Sequence, residues 1–483
     1  MELRDLMINK NINLNQALPV FAYIIGPILS FLSLPIITSS ISPTDFGTYN
    51  YYLSIISYIV LISFFPSFNS TVLRFLNRNF DSYSHDKATL IAGCFLSTTI
   101  FFTASSILYY FIDDILFVYL CFCYFIINLF TLYKSFLNIN GEKKKFAIVL
   151  LFVTISQYLL IFVLYFFKTI SLYHLLLGNL IASILILAWF FKPKIKALQI
   201  AKLKIEKKSI NKITKFSLIS LVIALSGILL ATSDRILIKN LLENGEYFLG
   251  IYSVHYQLFS YLIDLLVGLF FIYIPNYLYV KYEKYGISSY LEGLRNIVDW
   301  FIVVATYFVL LIMLSHGALS HIMFDDFYVQ QSKLSLYITL GQYYFGIYLV
   351  LANYFTVVNK RLIVTFLLLF FGAINIFLNV VFIPIYGYIV AAITTLICYF
   401  LLFLSVLIIT KIKTKKNLIP NFNWILIMLP PVILYFLNEP KIYPSNFIAF
   451  KELLFNFIVV TIFFGLLNFR RLKLLYDGRQ RNI

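Results

Sequence analysis

The feature that most constrains this chain is a series of long, nearly uncharged apolar segments that follow one another along almost its whole length. A helix that crosses a membrane needs roughly 20 mostly apolar residues, because each residue adds about 1.5 Å to a hydrocarbon path of about 30 Å. About fourteen segments meet this length. They are residues 14–40, 47–73, 88–111, 114–137, 146–167, 172–191, 213–238, 247–276, 296–317, 334–357, 362–383, 386–410, 421–437 and 447–469. The sequence therefore predicts an all-α integral membrane protein with about 14 transmembrane helices.

The charge content excludes several other classes of protein. Charged residues make up 12% of the 483 positions, about half the share found in soluble domains. The net charge is +17, but the basic residues lie between the apolar segments and form no single patch, so no nucleic-acid partner is expected. All four cysteines fall inside apolar segments, and Cys121 and Cys123 would lie on opposite sides of a helix. We therefore expect no disulfide framework, metal site or cofactor.

The positions of Lys and Arg predict the orientation of the chain. If the N-terminus is cytoplasmic and the segments alternate, nearly all of the 38 basic residues fall on the cytoplasmic side, as the positive-inside rule requires. The exceptions are Lys168, Arg235, Lys239, Lys333, Lys441 and Lys451. This pattern predicts an even number of spans and two cytoplasmic termini. The strongly basic loop 192–212 is interpreted as a cytoplasmic connector attracted to anionic lipid head groups.

A weak internal repeat suggests that the chain contains two related halves. Four identical residue pairs share one constant spacing, and both members lie in the second helix of a six-helix set. The pairs are Gly47 with Gly250, Tyr49 with Tyr252, Ser57 with Ser260 and Tyr58 with Tyr261. The repeat predicts two pseudo-symmetric six-helix lobes with the site between them, followed by two C-terminal helices. The predicted parts are an N-terminal lobe (1–191), the basic loop (192–212), a second lobe (213–410), and two extra helices with a basic tail (411–483).

The eighth segment carries the most informative polar residues. Ser253, Gln257, Ser260, Tyr261 and Asp264 recur at helical spacing, so they share one face. A carboxylate near mid-membrane is costly unless it meets water, a cation or a polar partner. The face is consistent with a cavity lining that titrates or binds a cation, and equally with a hydrogen bond to a neighbouring helix. His255 falls roughly on the opposite face and is interpreted as a packed histidine.

Two further pairs of charged residues leave two interpretations open. Asp234 and Arg235 lie near the outer end of segment 213–238, where an interfacial ion pair and a coupling or gating role both fit. Arg74 and Lys134 lie near the cytoplasmic ends of their segments, where topological anchoring and anion binding both fit.

Two stretches resemble a known family. The opening "LPVFAYIIGPILSFLSLPIITSSISPTDFGTYNYYLSIISY" is similar to that of polysaccharide-export flippases of the multidrug/oligosaccharidyl-lipid/polysaccharide superfamily. These share a Pro-containing first helix, a short acidic-aromatic-Gly loop and Gly-x-Tyr. The later stretch "SDRILIKNLLENGEYFLGIYSVHYQLFSY" resembles the seventh and eighth helices of that family, where an Asp precedes an Ile/Leu run and a second Gly-x-Tyr.

The resemblance implies a transporter, not an enzyme, with two six-helix bundles around a V-shaped cavity and alternating access. It implies a substrate of oligosaccharide on undecaprenyl diphosphate, moved across the bacterial inner membrane for O-antigen (lipopolysaccharide) or capsule assembly. Membrane lipids and a polysaccharide polymerase are the other implied partners. Substrate-binding candidates are Arg74, Lys134, Gln257, Tyr261 and Asp264, and coupling or gating candidates are Asp234, Arg235 and Asp264. Amides that could meet sugar hydroxyls or join helices are Asn15, Gln16, Asn69, Gln157, Gln342, Asn353, Asn375 and Asn379.

Two other functions fit parts of the sequence. A multidrug-type cation antiporter of the same superfamily would use an acidic ion site, which Asp264 could supply, but such transporters usually have twelve helices. A membrane-embedded O-antigen polymerase or glycosyltransferase would need a large polar outer loop. The longest predicted outer loop, 318–333, carries only His321, Asp325 and Asp326 as candidates, and neither a Gly-rich nucleotide loop nor HExxH occurs.

Overall fold

The computed structural model describes residues 14–63, 83–139, 142–191, 207–329, 333–358, 360–436 and 443–468. Within these ranges the regular structure is α-helical, which confirms the predicted all-α class. The helices are α1 (Leu14–Ser40), α2 (Pro43–Ile62), α3 (Tyr83–Ile112), α4 (Ile115–Ile139), α5 (Lys143–Phe166), α6 (His174–Phe191), α7 (Lys207–Leu241), α8 (Gly245–Met323), α9 (Asp326–Val329), α10 (Lys333–Val357), α11 (Arg361–Tyr386), α12 (Ile389–Thr414), α13 (Asn421–Phe436) and α14 (Asn446–Leu467).

Length and apolarity identify the helices that can cross a membrane. Among the described residues nine helices qualify, or ten if a bent pair at the start of α8 forms one span. Three further apolar helices are shorter, at Ile24–Ser40, His174–Trp189 and Asn423–Leu434. The multi-pass architecture is thus confirmed, whereas the number fourteen stays a prediction. The predicted second span, 47–73, continues past residue 63 into positions outside the described ranges.

Helix α8 contains two of the predicted spans. The sequence predicts them at 247–276 and 296–317, and both lie within the helical residues Gly245–Met323, on either side of a break. A straight helix of 79 residues would be about 120 Å long, far more than a bilayer. The chain instead breaks at Gly286, where φ is 76° and ψ is −173°, a conformation that favours glycine. The ring of His255 lies 4.7 Å from that of Phe324, so the two ends of α8 pack side by side.

The described residues fall into two compact units. The first extends to Gly250 and includes Leu368–Ile376 of α11. In it α1 packs on α5, α5 on α6, and α2 on α7, α3 and α4. The Ser42 side chain caps α2 by accepting a hydrogen bond from the backbone N–H of Asp45. Pro43 suits the first helical position, because proline has no backbone N–H that would need an acceptor there. The Tyr52 hydroxyl donates to Asp114 at 2.7 Å, which ties α2 to the start of α4.

The second unit contains Ile251–Leu367 and the residues from Phe377 onward. Its most buried helix is α10, which packs on α12 and α13. The Tyr343 hydroxyl of α10 lies 2.8 Å from Thr306 Oγ1 of α8, and Asn423 of α13 donates to Asp299 at 2.8 Å. These polar contacts join apolar helices where dispersion alone would leave their rotation poorly defined. The predicted lobe boundaries at residues 191 and 213 stay a prediction.

Candidate functional site

The polar stripe of α8 separates into a buried part and an accessible part. Asp264 is exposed, Gln257 and Tyr261 are half-buried, and Ser253 and Ser260 are buried. Ser260 forms a side-chain hydrogen bond with Asp264. Because an exposed carboxylate in contact with lipid would be costly, the face that carries Asp264 is suited to water. The three accessible residues therefore form the best-supported candidate site, which we call the α8 face (Gln257, Tyr261, Asp264).

The backbone of α8 changes direction beside this face. The helix axis bends by 42° between Gly245–Tyr261 and Ile263–Phe270, immediately before Asp264. A bend in a membrane helix weakens local backbone hydrogen bonds and frees carbonyl oxygens, which transporters use where the backbone lines a cavity. The α8 face thus places a carboxylate, an amide and a phenol beside the bend. Such a set can bind hydroxyl-rich or cationic groups.

His255 lies on the opposite, buried face of α8. Its ring stacks on Phe259 at 6.0 Å between centroids, and its Nε2 is 2.9 Å from the carbonyl oxygen of Tyr328. The side chain has no measurable exposure. This placement is that of a packed histidine, as the helical spacing predicts.

The two cationic candidates differ in what the structure describes. Lys134 is half-buried near the end of α4, and its Nζ lies 5.0 Å from the centroid of the Phe130 ring. A cation over an aromatic face gains roughly 0.5–2 kcal/mol, so the ring holds the ammonium in place without neutralising it. Arg74 lies outside the described residues. The binding of an anion by Arg74 and Lys134 stays a prediction.

Asp234 and Arg235 lie inside the first unit. Asp234 is only 2% exposed, and its carboxylate accepts the backbone N–H of Arg235 at 2.8 Å. Tyr58 of α2 interacts electrostatically with Asp234, and Tyr124 of α4 does so with Arg235. A carboxylate so deeply buried needs compensation from a cation, a proton or hydrogen-bond donors. The burial makes Asp234 a better coupling candidate than an exposed interfacial acid would be.

Helix α11 places a buried amide next to its contact with α7. A Cβ at Gly372 would lie 3.6 Å from Leu230, so α7 and α11 pack against each other there. Asn375 is one turn from this contact on α11, and Asp234 is one turn from it on α7; both are buried. The sequence shows only an amide within a predicted span and cannot indicate which helix it packs against.

The other amides mostly join helices. Asn179 of α6 donates to Gln157 of α5 at 3.0 Å, and Gln342 of α10 donates to the Tyr256 hydroxyl of α8 at 2.6 Å. Gln342 and Tyr256 also line a small uncharged cavity of about 10 Å³, which is room for about one water molecule. These amides therefore act as interhelical hydrogen-bonding groups, and the cavity is too small for a sugar.

The repeat glycines Gly47 and Gly250 bring α2 and α8 into direct backbone contact. A Cβ at Gly47 would overlap the carbonyl oxygen of Glu246, and a Cβ at Gly250 would overlap that of Pro43. The two contacts are related by the same spacing as the sequence repeat, so the crossing is itself pseudo-symmetric. Beside it Lys239 pairs with Glu246 at 3.6 Å. We call this contact the α2/α8 crossing.

Comparison with known proteins identifies the family. Residues 15–279, more than half of the chain, match the family described as polysaccharide biosynthesis protein. The chain belongs to the polysaccharide biosynthesis protein family. The match covers both stretches that carry the sequence resemblance, and it confirms that assignment. A search of curated protein sequences found no match.

Solved structures of three other proteins share the fold of this family member. A structure described as lipid II flippase MurJ in an inward closed conformation has a TM-score of 0.67 at 17% identity, covering 94% of this chain and 100% of that one. A MOP superfamily transporter from Pyrococcus furiosus has a TM-score of 0.51 at 12% identity, covering 83% and 94%. An inward-facing multidrug resistance MATE family transporter has a TM-score of 0.53 at 13% identity, covering 82% and 98%. These likenesses establish the fold of the family member.

Proposed function

We propose that this protein is a flippase that moves an undecaprenyl-diphosphate-linked oligosaccharide from the inner to the outer leaflet of the bacterial inner membrane. The unit would serve O-antigen or capsule assembly, and alternating access would carry it across. The observation that supports this best is the accessible α8 face in a member of the polysaccharide biosynthesis protein family. An amide, a phenol and a carboxylate on one accessible face suit a hydroxyl-rich ligand, and the proposal includes no enzymatic step.

The two ends of such a substrate need different partners. A diphosphate cannot cross hydrocarbon alone, because an unpaired charge there costs at least several kcal/mol. We assign its capture to Arg74 and Lys134, since both are predicted near the cytoplasmic entrance and Arg offers two parallel donors to a phosphate. Gln257, Tyr261 and Asp264 would then receive the glycan by hydrogen bonds and aromatic contact.

A coupling role is assigned to the acidic residues. Asp234 is buried beside Arg235, and Asp264 is exposed on the α8 face. A buried carboxylate that exchanges a proton or a small cation changes the charge inside the protein, which is the usual basis of ion-coupled transport. Membrane lipids and a polysaccharide polymerase that receives the flipped unit are the remaining proposed partners.

The test combines accessibility with export. In a cysteine-free background, cysteines at Gln257 and Asp264 should react with a water-soluble thiol reagent, whereas a cysteine at buried Val254 should not. In a strain lacking the chromosomal copy, wild-type protein should restore surface polysaccharide and Asp264→Asn should restore much less at equal abundance. Labelling of Val254 alone would show that the α8 face is wrongly assigned.

A multidrug-type cation antiporter is the alternative, favoured by the buried carboxylate of Asp234 and the MATE-like fold. It predicts that deletion raises sensitivity to cationic drugs and leaves surface polysaccharide intact. Lipid-linked glycan that accumulates on the cytoplasmic face of the deletion strain would decide for the flippase.

A further inference from the structure

Two buried histidines in α8 each present one basic nitrogen without a hydrogen-bond partner. His316 Nδ1 is 2.8 Å from the carbonyl oxygen of Met313, and His255 Nε2 is 2.9 Å from that of Tyr328. A carbonyl oxygen only accepts hydrogen bonds, so each of these nitrogens must carry the ring proton. The lone pairs therefore reside on His316 Nε2 and His255 Nδ1. Both atoms are buried and unpartnered.

A buried basic nitrogen without a donor is an unusual feature in a folded protein. Leaving such a group unsatisfied destabilises the folded state, because the group has lost its water without gaining a partner, and most buried polar groups avoid this. The hydroxyls of Ser315 and Ser320, on either side of His316, are also buried without partners. The surroundings of His316 thus hold several polar groups that a proton or a water molecule would satisfy.

Helix α14 approaches this position and brings a carboxylate. Three contacts define how α14 lies antiparallel to the last part of α8. They are Tyr307 Oη with Thr461 Oγ1 at 2.9 Å, Asn456 Nδ2 donating to the Leu314 carbonyl at 2.9 Å, and Ala318 packed in one cluster with Ala449. This register places Glu452 opposite His316. Their electrostatic interaction agrees with that placement.

The neighbours of Glu452 lie at the end of α8 and α14 that is predicted to face outward. Tyr443, just before α14, forms a side-chain hydrogen bond with Glu452, and its ring lies 5.7 Å from that of His321. Burial raises the pKa of the Tyr443 phenol, and the charge of Glu452 acts in the same direction. Tyr443 therefore stays protonated and donates to the carboxylate. The titratable groups around His316 are thus Glu452, His255 and, through Tyr443, His321.

We propose that His316 and Glu452 form a proton-binding site at the contact between α8 and α14, with His316 Nε2 as the atom that accepts the proton. Protonation converts a neutral imidazole opposite a carboxylate into an ion pair, which strengthens the attachment of α14 to α8. Helix α14, predicted to lie outside the two six-helix lobes, thereby becomes responsive to the pH on the side from which Tyr443 and Glu452 are reached. His255 Nδ1 offers a second acceptor further into the unit.

Histidine NMR tests this site without any transport substrate, so its outcome is independent of the proposed flippase function. The chain has five histidines, and ¹⁵N-histidine-labelled full-length protein in lipid nanodiscs should give few enough signals to assign His316 by loss in His316→Asn. Burial disfavours the protonated ring and Glu452 favours it, so the His316 signal should change from the neutral to the doubly protonated ring as the pH falls from about 7 to about 4. In Glu452→Gln the protonated-to-neutral ratio at a given pH should fall about tenfold or more, because a nearby opposite charge of this kind favours the charged form.

Two variants make the result decisive. Lys451→Gln removes an exposed charge from the neighbouring position of α14 and should leave the His316 titration unchanged. Glu452→Asp keeps the charge and should retain most of the effect, which separates charge from folding. A His316 ring that stays neutral down to about pH 4, or one that titrates alike with and without Glu452, would overturn the proposal.

Discussion

Replacing Gly47 by alanine should push α2 and α8 apart at the α2/α8 crossing. The added Cβ would overlap the carbonyl oxygen of Glu246, which is backbone and cannot rotate away. Non-bonded carbon and oxygen atoms require about 3.3 Å even in close helix contacts, so the two helices would have to separate by roughly an ångström. Because both the helix start at Pro43 and the one at Gly245 are buried, local adjustment is limited.

The energetic consequence follows from the cost of overpacking. Forcing an extra carbon into a close contact typically costs about 1–3 kcal/mol. If the crossing is closed in one conformer and open in another, the substitution destabilises the closed conformer by that amount and shifts the equilibrium toward the open one. A change of 1–3 kcal/mol shifts a conformational equilibrium roughly 5- to 150-fold. Gly250→Ala should have a similar effect, since it meets the carbonyl of Pro43 in the pseudo-symmetric contact.

Spin labels can measure this shift. Thr44 and Asn244 are exposed next to the crossing, and labels there should show a short distance in wild-type protein. Gly47→Ala and Gly250→Ala should each move the population to longer distances and lower polysaccharide export. Gly227→Ala is the matched control, because a Cβ there meets nothing within 4 Å. An unchanged distance distribution in both crossing variants would refute the reasoning.

Two further predictions concern the substrate and the topology. Arg74→Ala should abolish export at normal protein abundance and Arg74→Lys should restore part of it, because a lysine keeps the charge but loses the bidentate geometry; full export by Arg74→Ala would leave Arg74 as a topological anchor. Reporter fusions after Lys145 and Lys208 should read cytoplasmic and one after Asp114 periplasmic, whereas a periplasmic signal at Lys208 would overturn the orientation.

The sequence predicts helices well where an apolar run coincides with a helix. The first predicted segment, 14–40, ends at the same residue as α1 (Leu14–Ser40), because the N-cap Ser42 of α2 follows almost directly. Between 277 and 295 charged residues such as Lys281 and Glu283 end the apolar signal, while the backbone remains helical on both sides of the break at Gly286. Hydropathy detects contact with lipid, whereas helix continuity depends on backbone hydrogen bonds, which continue into water.

The sequence predicted which residues of the candidate site share a helix face, but not which residues they contact. Helical spacing placed Gln257, Tyr261 and Asp264 on one face, and it placed His255 on another. Spacing could not show that Asn375 is buried, since that depends on how α7 and α11 pack. It also could not reveal the basic nitrogen of His316, because the tautomer is determined by the carbonyl of Met313.

Exposure distinguishes the two span carboxylates. Asp234 is almost fully enclosed among helices of the first unit, so only a small ion or a proton can reach it without unpacking that unit. Asp264 is exposed beside the bend of α8, where a large ligand can make contact. An amide lacks the charge of a carboxylate, so it forms weaker hydrogen bonds with a ligand and cannot exchange a proton. If the roles are divided in this way, Asp264→Asn should lower substrate affinity and retain ion dependence, whereas Asp234→Asn should retain affinity and lose ion dependence. Loss of the same property in both variants would show that the two carboxylates serve one site.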